Sequence, residues 1–213
     1  MNIEKLSKGF WVPSSDAQIE QWREKGEPYM QDKCLFQFIN WCESQSKLFD
    51  TIVDVGAWCG TWTSYMQKFA KNVYCFEPSK VHYECLSRNT AMHGHVRTYN
   101  HAIGSEDGFI QLSTETATQN TRVLLEAGDT KISRLDSLDI DQINLLKIDV
   151  EGLEMEVLKG AGARLENIEY LMIELNNNSK RYGSSNIEIE NHLKGLGYKV
   201  LIKTWPDIVF YKA

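Results

Sequence analysis

The chain has 213 residues, 42% hydrophobic and 24% charged, a composition that folds and fills one domain or slightly more. Lys and Arg number 23 against 29 Asp and Glu, and the formal net charge of −6 argues against a nucleic-acid partner. No apolar run approaches the roughly 18 residues of a membrane span, and MNIEKLSKGFW lacks the apolar core of a secretory leader, so a cytoplasmic protein with no membrane partner is expected.

Residues 1–45 hold seven aromatics (Phe10, Trp11, Trp22, Tyr29, Phe36, Phe38 and Trp41) and precede the first strong strand. An aromatic-rich helical segment is expected there, either a lid over a ligand site or core packed under a sheet. The second unit, 46–213, alternates short apolar runs with amphipathic stretches. TIVDVG predicts a buried strand and TWTSYMQKFA a helix. NVYCFE predicts a second strand, KVHYECLSRNTAM a second helix and VRTYNHAI a third strand. LLKIDV and IEYLMIEL follow as strands, with LEMEVLKGAGARL and NIEIENHLKGLG as helices. This alternation is the pattern of an α/β, doubly wound, mostly parallel sheet covered on both faces.

Ser185 and Glu188 fit a capping box, and Gly197 fits a left-handed position after that helix. KVLI and IVFYKA are separated only by KTWPD, too short for a crossover helix, so the sheet should end in a C-terminal antiparallel hairpin. Between about 104 and 138, FIQLS, TETATQNTR and KISRLDSL break the alternation. They predict an insertion with one or two short strands and a polar loop. Five cysteines, an odd count without a CxxC, predict reduced thiols and no zinc site.

The loop AWCG places Gly56 and Gly60 in a G-x-x-x-G spacing, not the G-x-G-x-x-G of a dinucleotide fingerprint. Trp58 or Cys59 would crowd a pyrophosphate, so the loop suits a nucleoside without phosphate, or is simply a tight turn. FEP closes the second strand and sets Glu77 21 residues beyond Gly56, where a carboxylate can accept from both ribose hydroxyls; Pro78 then turns the chain away. In LLKIDVEG, Lys147, Asp149 and Glu151 alternate, and a continued strand would point all three to one face at the ligand-binding end of the sheet. Glu174, ending the next strand, should lie nearby. These charges form either an ion-pair network tied by Lys147 or a reactive set in which one carboxylate orients a ligand and another takes a proton.

Together, DVGAWCG, FEPSKVHYECLSRN, LLKIDVEGLEMEVLKGA and MIEL resemble the FkbM-type family of class I, S-adenosylmethionine-dependent methyltransferases. Phe76, Glu77, Pro78, Ser79, Tyr83, Leu86 and Asn89 match one family spacing, and Lys147 through Ala161 match the most specific one. The resemblance covers about 50–200. It implies a Rossmann-like sheet of seven strands with the last antiparallel, S-adenosyl-L-methionine as cofactor and O-methylation of a hydroxyl. It implies Asp54, Gly56, Ala57 and Gly60 around the methionine part of the cofactor, with Glu77 and Pro78 at the ribose. Asn100, His101 or the backbone of Ala102 and Ile103 would reach the adenine. AWCGTW departs from the small or Asn residues that the family often carries at Trp58 and Cys59.

A hydroxyl acceptor needs a base or a metal. His82, His93, His95 and His192 are expected at the surface, which leaves Asp149 as the proton acceptor beside the cofactor, flanked by Lys147 and Glu151, without a metal. Asn120, Thr121 and Arg122 of the polar loop, with Glu174, are expected to hold the acceptor, a small molecule or glycan hydroxyl. Two other readings compete. A nicotinamide-dependent oxidoreductase is disfavoured by the missing glycine and the terminal hairpin. A non-catalytic binding protein of this fold is disfavoured by Glu77 and KIDVEG.

Overall fold

The computed structural model describes residues 2–14, 19–28, 32–113, 123–124 and 128–212. In chain order these form β1 (Ile3–Lys5), β2 (Trp11–Pro13), α1 (Glu20–Lys25), α2 (Lys33–Ser44), β3 (Phe49–Val55), α3 (Thr61–Met66), β4 (Ala70–Phe76), α4 (Lys80–Thr90) and β5 (Val96–Tyr99). Then come β6 (Ala102–Ile103), β7 (Gly108–Leu112), β8 (Val123–Leu124), β9 (Thr130–Ser133), β10 (Leu145–Ile148), α5 (Glu154–Ala161), β11 (Tyr170–Glu174), α6 (Asn186–Gly195), β12 (Lys199–Thr204) and β13 (Asp207–Tyr211).

The central sheet runs β12-β13-β11-β10-β3-β4-β5. Its inner strands are parallel, and β13 is antiparallel to both neighbours. The expected seven-stranded α/β sheet with a terminal hairpin is therefore present. Strand parity splits the core into two layers. Val53, Val55, Leu146, Ile148, Leu171 and Ile173 face α5 and α6 through Val157, Leu158, Ile189 and Leu193. Ile52, Val73, Cys75, Leu145 and Met172 face the other way, onto Leu35 and Phe38 of α2, Trp62 and Met66 of α3, and Leu86 of α4.

The third predicted strand divides. It leaves the main sheet at Tyr99, and Ala102–Ile103 joins a separate four-stranded sheet of order β6-β9-β7-β8. Asn100 marks the break, since its side-chain amide donates to the Glu77 and Pro78 carbonyls at 2.9 and 3.0 Å. Among the described residues, the segment 104–138 thus holds three short strands, β7, β8 and β9, where one or two were expected. At α6, the Ser185 hydroxyl accepts from the Glu188 amide at 3.3 Å and donates to the Glu188 carboxylate at 2.9 Å. The glutamate therefore meets the hydroxyl of Ser185, not the backbone N–H that a full capping box uses. All five cysteines are buried free thiols. Among the described residues no helix is long and apolar enough to cross a membrane.

The aromatic N-terminal segment falls into two parts with different neighbours. α2 packs into the core: Asp32 caps it by accepting from the Leu35 amide at 2.9 Å, and Phe38, Trp41 and Tyr170 cluster with ring centroids 5.3–6.2 Å apart. Residues 2–14 and 19–28 instead build a small cluster of Leu6, Val12, Ile19 and Trp22 against Trp58. That cluster is pinned to α4 by Asn89, which accepts from the Trp11 amide at 2.7 Å and donates to the Trp11 and Cys59 carbonyls at 2.9 and 2.8 Å. Removing the Phe38 ring from the fully buried face of α2 should cost about 3–5 kcal/mol. Urea unfolding of Phe38→Ala measures it, and a loss near zero would place α2 outside the cooperative core.

Candidate active site

The C-terminal ends of β3, β4, β10 and β11 converge on a cavity of about 340 Å³. The fold's parallel strands make this end the natural ligand site. One side of the cavity is the loop after β3. Gly56 sits at φ +79°, and a Cβ there would lie 1.7 Å from the Asp149 carbonyl oxygen, so the glycine is needed where two strand ends cross. Gly60, at φ +85°, opens α3 and lies against Leu86; it is not part of the cavity wall. Gly56, Ala57 and Pro78 do line the cavity.

Trp58 adopts φ +48°, a left-handed conformation that is a genuine outlier for a bulky residue. In this conformation its amide donates to Glu77 Oε2 at 2.9 Å, while the Ser79 amide donates to Oε1 at 2.8 Å. Glu77, 6% exposed, is thus held by two backbone donors with lone pairs to spare. Trp22 meets Trp58 edge-on at 5.3 Å, and His82 lies 5.9 Å from the Trp58 ring. His82 is buried in the cavity wall, which corrects its expected surface position: the first turn of α4 faces inward beneath the Trp58 loop.

The other side is organised by Lys147. Its ammonium lies 3.0 Å from the Gly56 carbonyl and 3.2 Å from both Asp54 and Asp149. Burial alone would push its pKa down, but the two carboxylates outweigh it and hold the pKa well above the usual lysine range. Asp54, expected beside the methionine part of the cofactor, is fully buried and absent from the cavity wall. It accepts from Thr63 Oγ1 at 2.5 Å and supports Lys147 from beneath.

β10 ends at Ile148, so Lys147, Asp149 and Glu151 do not continue one strand face. The chain turns instead, with Glu151 at φ +55°. The turn still gathers the charges: Glu151 accepts from Asn176 and Asn178 amides at 3.1 and 2.6 Å. Carboxylate oxygens of Asp149, Glu151 and Glu174 all lie within 4.8 Å of one another, a set able to take a metal ion. Burial, then the Asp149 charge, pushes Glu174 up to about 10, which favours its protonated form next to Asp149. Asp32 and Asp207, which the sequence did not single out, also line the cavity; burial, then Asp32 and Asp149, pushes Asp207 up to about 7. Asp207 is brought there by the β13 register, which sets it opposite Glu174.

Ala102 and Ile103 line the cavity, as do Leu112 and Val123 of the second sheet. His101, expected near adenine, does not. It packs 5.0 Å from Phe76 and 5.9 Å from Tyr99, and burial, then Lys131, lowers it to about 4. The split of the third strand is the reason, because the chain presents the two residues after His101 instead. Asn120, Thr121 and Arg122 lie outside the described residues.

The family model described as Methyltransferase FkbM domain matches residues 54–200. The hexuronic acid methyltransferase AglP of Haloferax volcanii is 28% identical over 134 residues, covering 59% of this chain and 56% of that protein. This chain thus spans little more than half the length of AglP. Methyltransferase 1 of Beauveria bassiana is 26% identical over 196 residues, covering 75% and 78%. Among solved structures, magnesium protoporphyrin IX methyltransferase of Synechocystis PCC 6803, with bound SAM, superposes with a TM-score of 0.55 at 10% identity, covering 93% of each chain. That likeness is one of fold.

The raised pKa of Glu174 has a sign for stability. Its protonated form is favoured in the folded state, so the stability it contributes is complete below about pH 4.5 and is lost as pH rises towards about 10. Glu174→Gln stays neutral throughout. Its melting temperature should exceed that of the unaltered protein by about 10 °C or more at pH 8.5 and come close to it near pH 5. A gap that is flat with pH would show that Glu174 is ionised in the folded protein.

Proposed function

The chain belongs to the FkbM methyltransferase family, and we propose that it is an S-adenosylmethionine-dependent enzyme that methylates a hydroxyl of an uncharged small molecule or sugar. The observation that carries this reading is the Glu77 carboxylate, fixed by the Trp58 and Ser79 amides in the wall of a cavity that also holds the Lys147–Asp149–Glu174 cluster. The donor set fits the cofactor. Glu77 has lone pairs left for ribose hydroxyls. Phe76, Pro78, Ala102, Ile103, Leu112 and Val123 offer apolar surface for a flat base. Gly56 and Ala57 border the path between this surface and Asp149. When bound, S-adenosylmethionine supplies an electrophilic methyl group on a positively charged sulfur.

The chain's own residues do the rest. Asp149 takes the proton of the acceptor hydroxyl, while Lys147 fixes one of its oxygens and Glu151 is held aside by the Asn176 and Asn178 amides. Asp207 is the second candidate for that proton, because a base with a pKa of about 7 is matched to neutral conditions. The acceptor is held by Glu174 in the cavity wall. AglP, by its name, methylates a hexuronic acid. Here Lys147 is the only lysine or arginine among the described residues of the cavity wall, and its ammonium is already engaged by two carboxylates. The wall also carries Asp32, Glu77, Asp149, Glu151, Glu174 and Asp207. An anionic acceptor would be repelled, which is why an uncharged one is proposed.

The reaction is proposed to run without a metal, because the Lys147 ammonium and the Glu174 proton already offset charge that a cation would balance. The free thiols suit a reducing, cytoplasmic setting.

Three measurements test this reading. Glu77→Ala should weaken S-adenosylhomocysteine binding by about 2–4 kcal/mol in calorimetry, and unchanged affinity would remove the ribose assignment. Asp149→Asn should keep that binding and lose most turnover. If turnover instead survives and Asp207→Asn abolishes a rise in rate through pH 7, the proton goes to Asp207. Exhaustive chelation should leave turnover intact; loss on chelation with full rescue by Mg²⁺ would recast Asp149, Glu151 and Glu174 as ligands.

A further inference from the structure

Two buried ring nitrogens in the cavity wall, Nε1 of Trp58 and Nε2 of His82, have no hydrogen-bond partner among the described residues. Their rings lie 5.9 Å apart. The Trp58 amide bonds to Glu77 Oε2, and His82 Nδ1 stands 3.7 Å from Oε1, too far for a direct hydrogen bond. His82 is only 2% exposed. A buried donor or acceptor left unmatched is costly, and native structures satisfy nearly all of them. Trp58 adds a second anomaly, since its left-handed backbone is an unfavourable one for an indole side chain.

The three side chains have complementary chemistry. The Glu77 carboxylate only accepts and the Trp58 indole N–H only donates. The His82 imidazole does one or the other at Nε2, according to tautomer. A carboxylate alone is satisfied by any N–H or O–H. A carboxylate flanked by a ring donor is satisfied by a group that gives one hydrogen bond and takes another through the same atom. A hydroxyl does this, and a pair of neighbouring hydroxyls does it for all three side chains.

We propose that Trp58 and His82 complete a diol-recognition clamp with Glu77, in which the ring nitrogens bond to the oxygens of the hydroxyls that donate to the carboxylate. In this clamp the departure at Trp58 is a specificity element: the indole fills the space that a glycine would leave for a pyrophosphate and supplies a donor in its place. The ligand is a nucleoside without phosphate next to the ribose-binding carboxylate. The proposal rests on the reading that S-adenosylmethionine binds with its ribose at Glu77, and it names residues that this reading does not require.

The probe is S-adenosylhomocysteine, with its 2′-deoxy and 3′-deoxy forms, bound to the full chain in calorimetry. Trp58→Phe keeps a ring and removes the N–H, and His82→Leu replaces an unmatched polar group by an apolar one. Each should weaken S-adenosylhomocysteine binding about tenfold. The ligand-free melting temperature should stay the same or rise for His82→Leu, where no protein hydrogen bond is lost, and fall by only a few degrees for Trp58→Phe, whose smaller ring gives up part of its packing on Trp22. For at least one deoxy form the difference from the unaltered protein should vanish, since the hydroxyl that the ring nitrogen meets is gone. His82→Gln, which keeps a polar tip, should recover part of the affinity and serves if His82→Leu does not fold. Affinity within twofold of the unaltered protein for the Trp58 and His82 variants overturns the clamp. So does a lower melting temperature with an equal loss for every analogue, which marks the rings as structural. Failure of the unaltered protein to bind S-adenosylhomocysteine at all overturns the cofactor reading, and the clamp with it.

Discussion

A buried ammonium cannot stand alone in a protein interior, and the Lys147 side chain is 9% exposed. Everything at the ligand end of the sheet is arranged around that constraint. The parallel register of β3 and β10 sets Lys147 beside Asp54, so pairing of the two central strands also pairs the charges. The same ammonium reaches the Gly56 carbonyl and Asp149, tying the β3 loop to the turn after β10. Removing the lysine would leave Asp54 fully buried without its cation, a loss that large unpaired-charge effects make severe. The ion pair is therefore structural and positional at once. Of the two carboxylates on Lys147, Asp54 lies fully buried beneath it and Asp149 lines the cavity.

Around that anchor the fold was legible wherever one periodicity governed a segment. The apolar runs of β3, β4, β10 and β11 and the short KTWPD link are enough to expect the parallel strands and the terminal hairpin without any tertiary information. Side-chain positions were legible only where backbone geometry was regular. Strand alternation predicted that Lys147, Asp149 and Glu151 share a face; the positive φ of Glu151 breaks the alternation, so Lys147 meets Asp149 directly while Glu151 is held by Asn176 and Asn178. His101 moved behind Phe76 because the third strand splits, driven by Asn100 bonds to the two carbonyls after β4, which no pattern of apolar residues encodes. His82 gave a weak signal that helical spacing carries: it lies four residues before Leu86, a buried position, so the two share one face of α4. Asp207 and Asp32 gave none, since each reaches the cavity through the register or capping of an element far away in sequence.

Asn89 shows how a family spacing acquires a physical meaning. Its side chain, from the last turn of α4, holds the Trp11 backbone on one side and the Cys59 carbonyl on the other. The N-terminal hairpin and the loop carrying Trp58 are thus fastened to the same residue. Trp22 follows, packed edge-on against Trp58 in a cluster separate from the two layers of the main core. A wall built this way depends on chain entirely outside the matched family region, residues 54–200, for the position of one of its rings.

The opposite side of the cavity is balanced differently, by protons. Glu174 and Asp207 are both shifted upward, first by burial and then by neighbouring carboxylates, because the wall gathers more acidic groups than one ammonium can neutralise. An anion entering such a wall adds to the repulsion. A neutral hydroxyl does not, and it finds acceptors at several oxygens. A positively charged group does the reverse: it favours the ionised forms, so protons leave as the charge enters, and carboxylates that were neutral become acceptors. In the reaction proposed above, a cationic methyl donor would lower the pKa of Glu174 and Asp207 and leave them ionised, so that more carboxylate oxygens can accept a hydrogen bond from an uncharged hydroxyl while each becomes a weaker base.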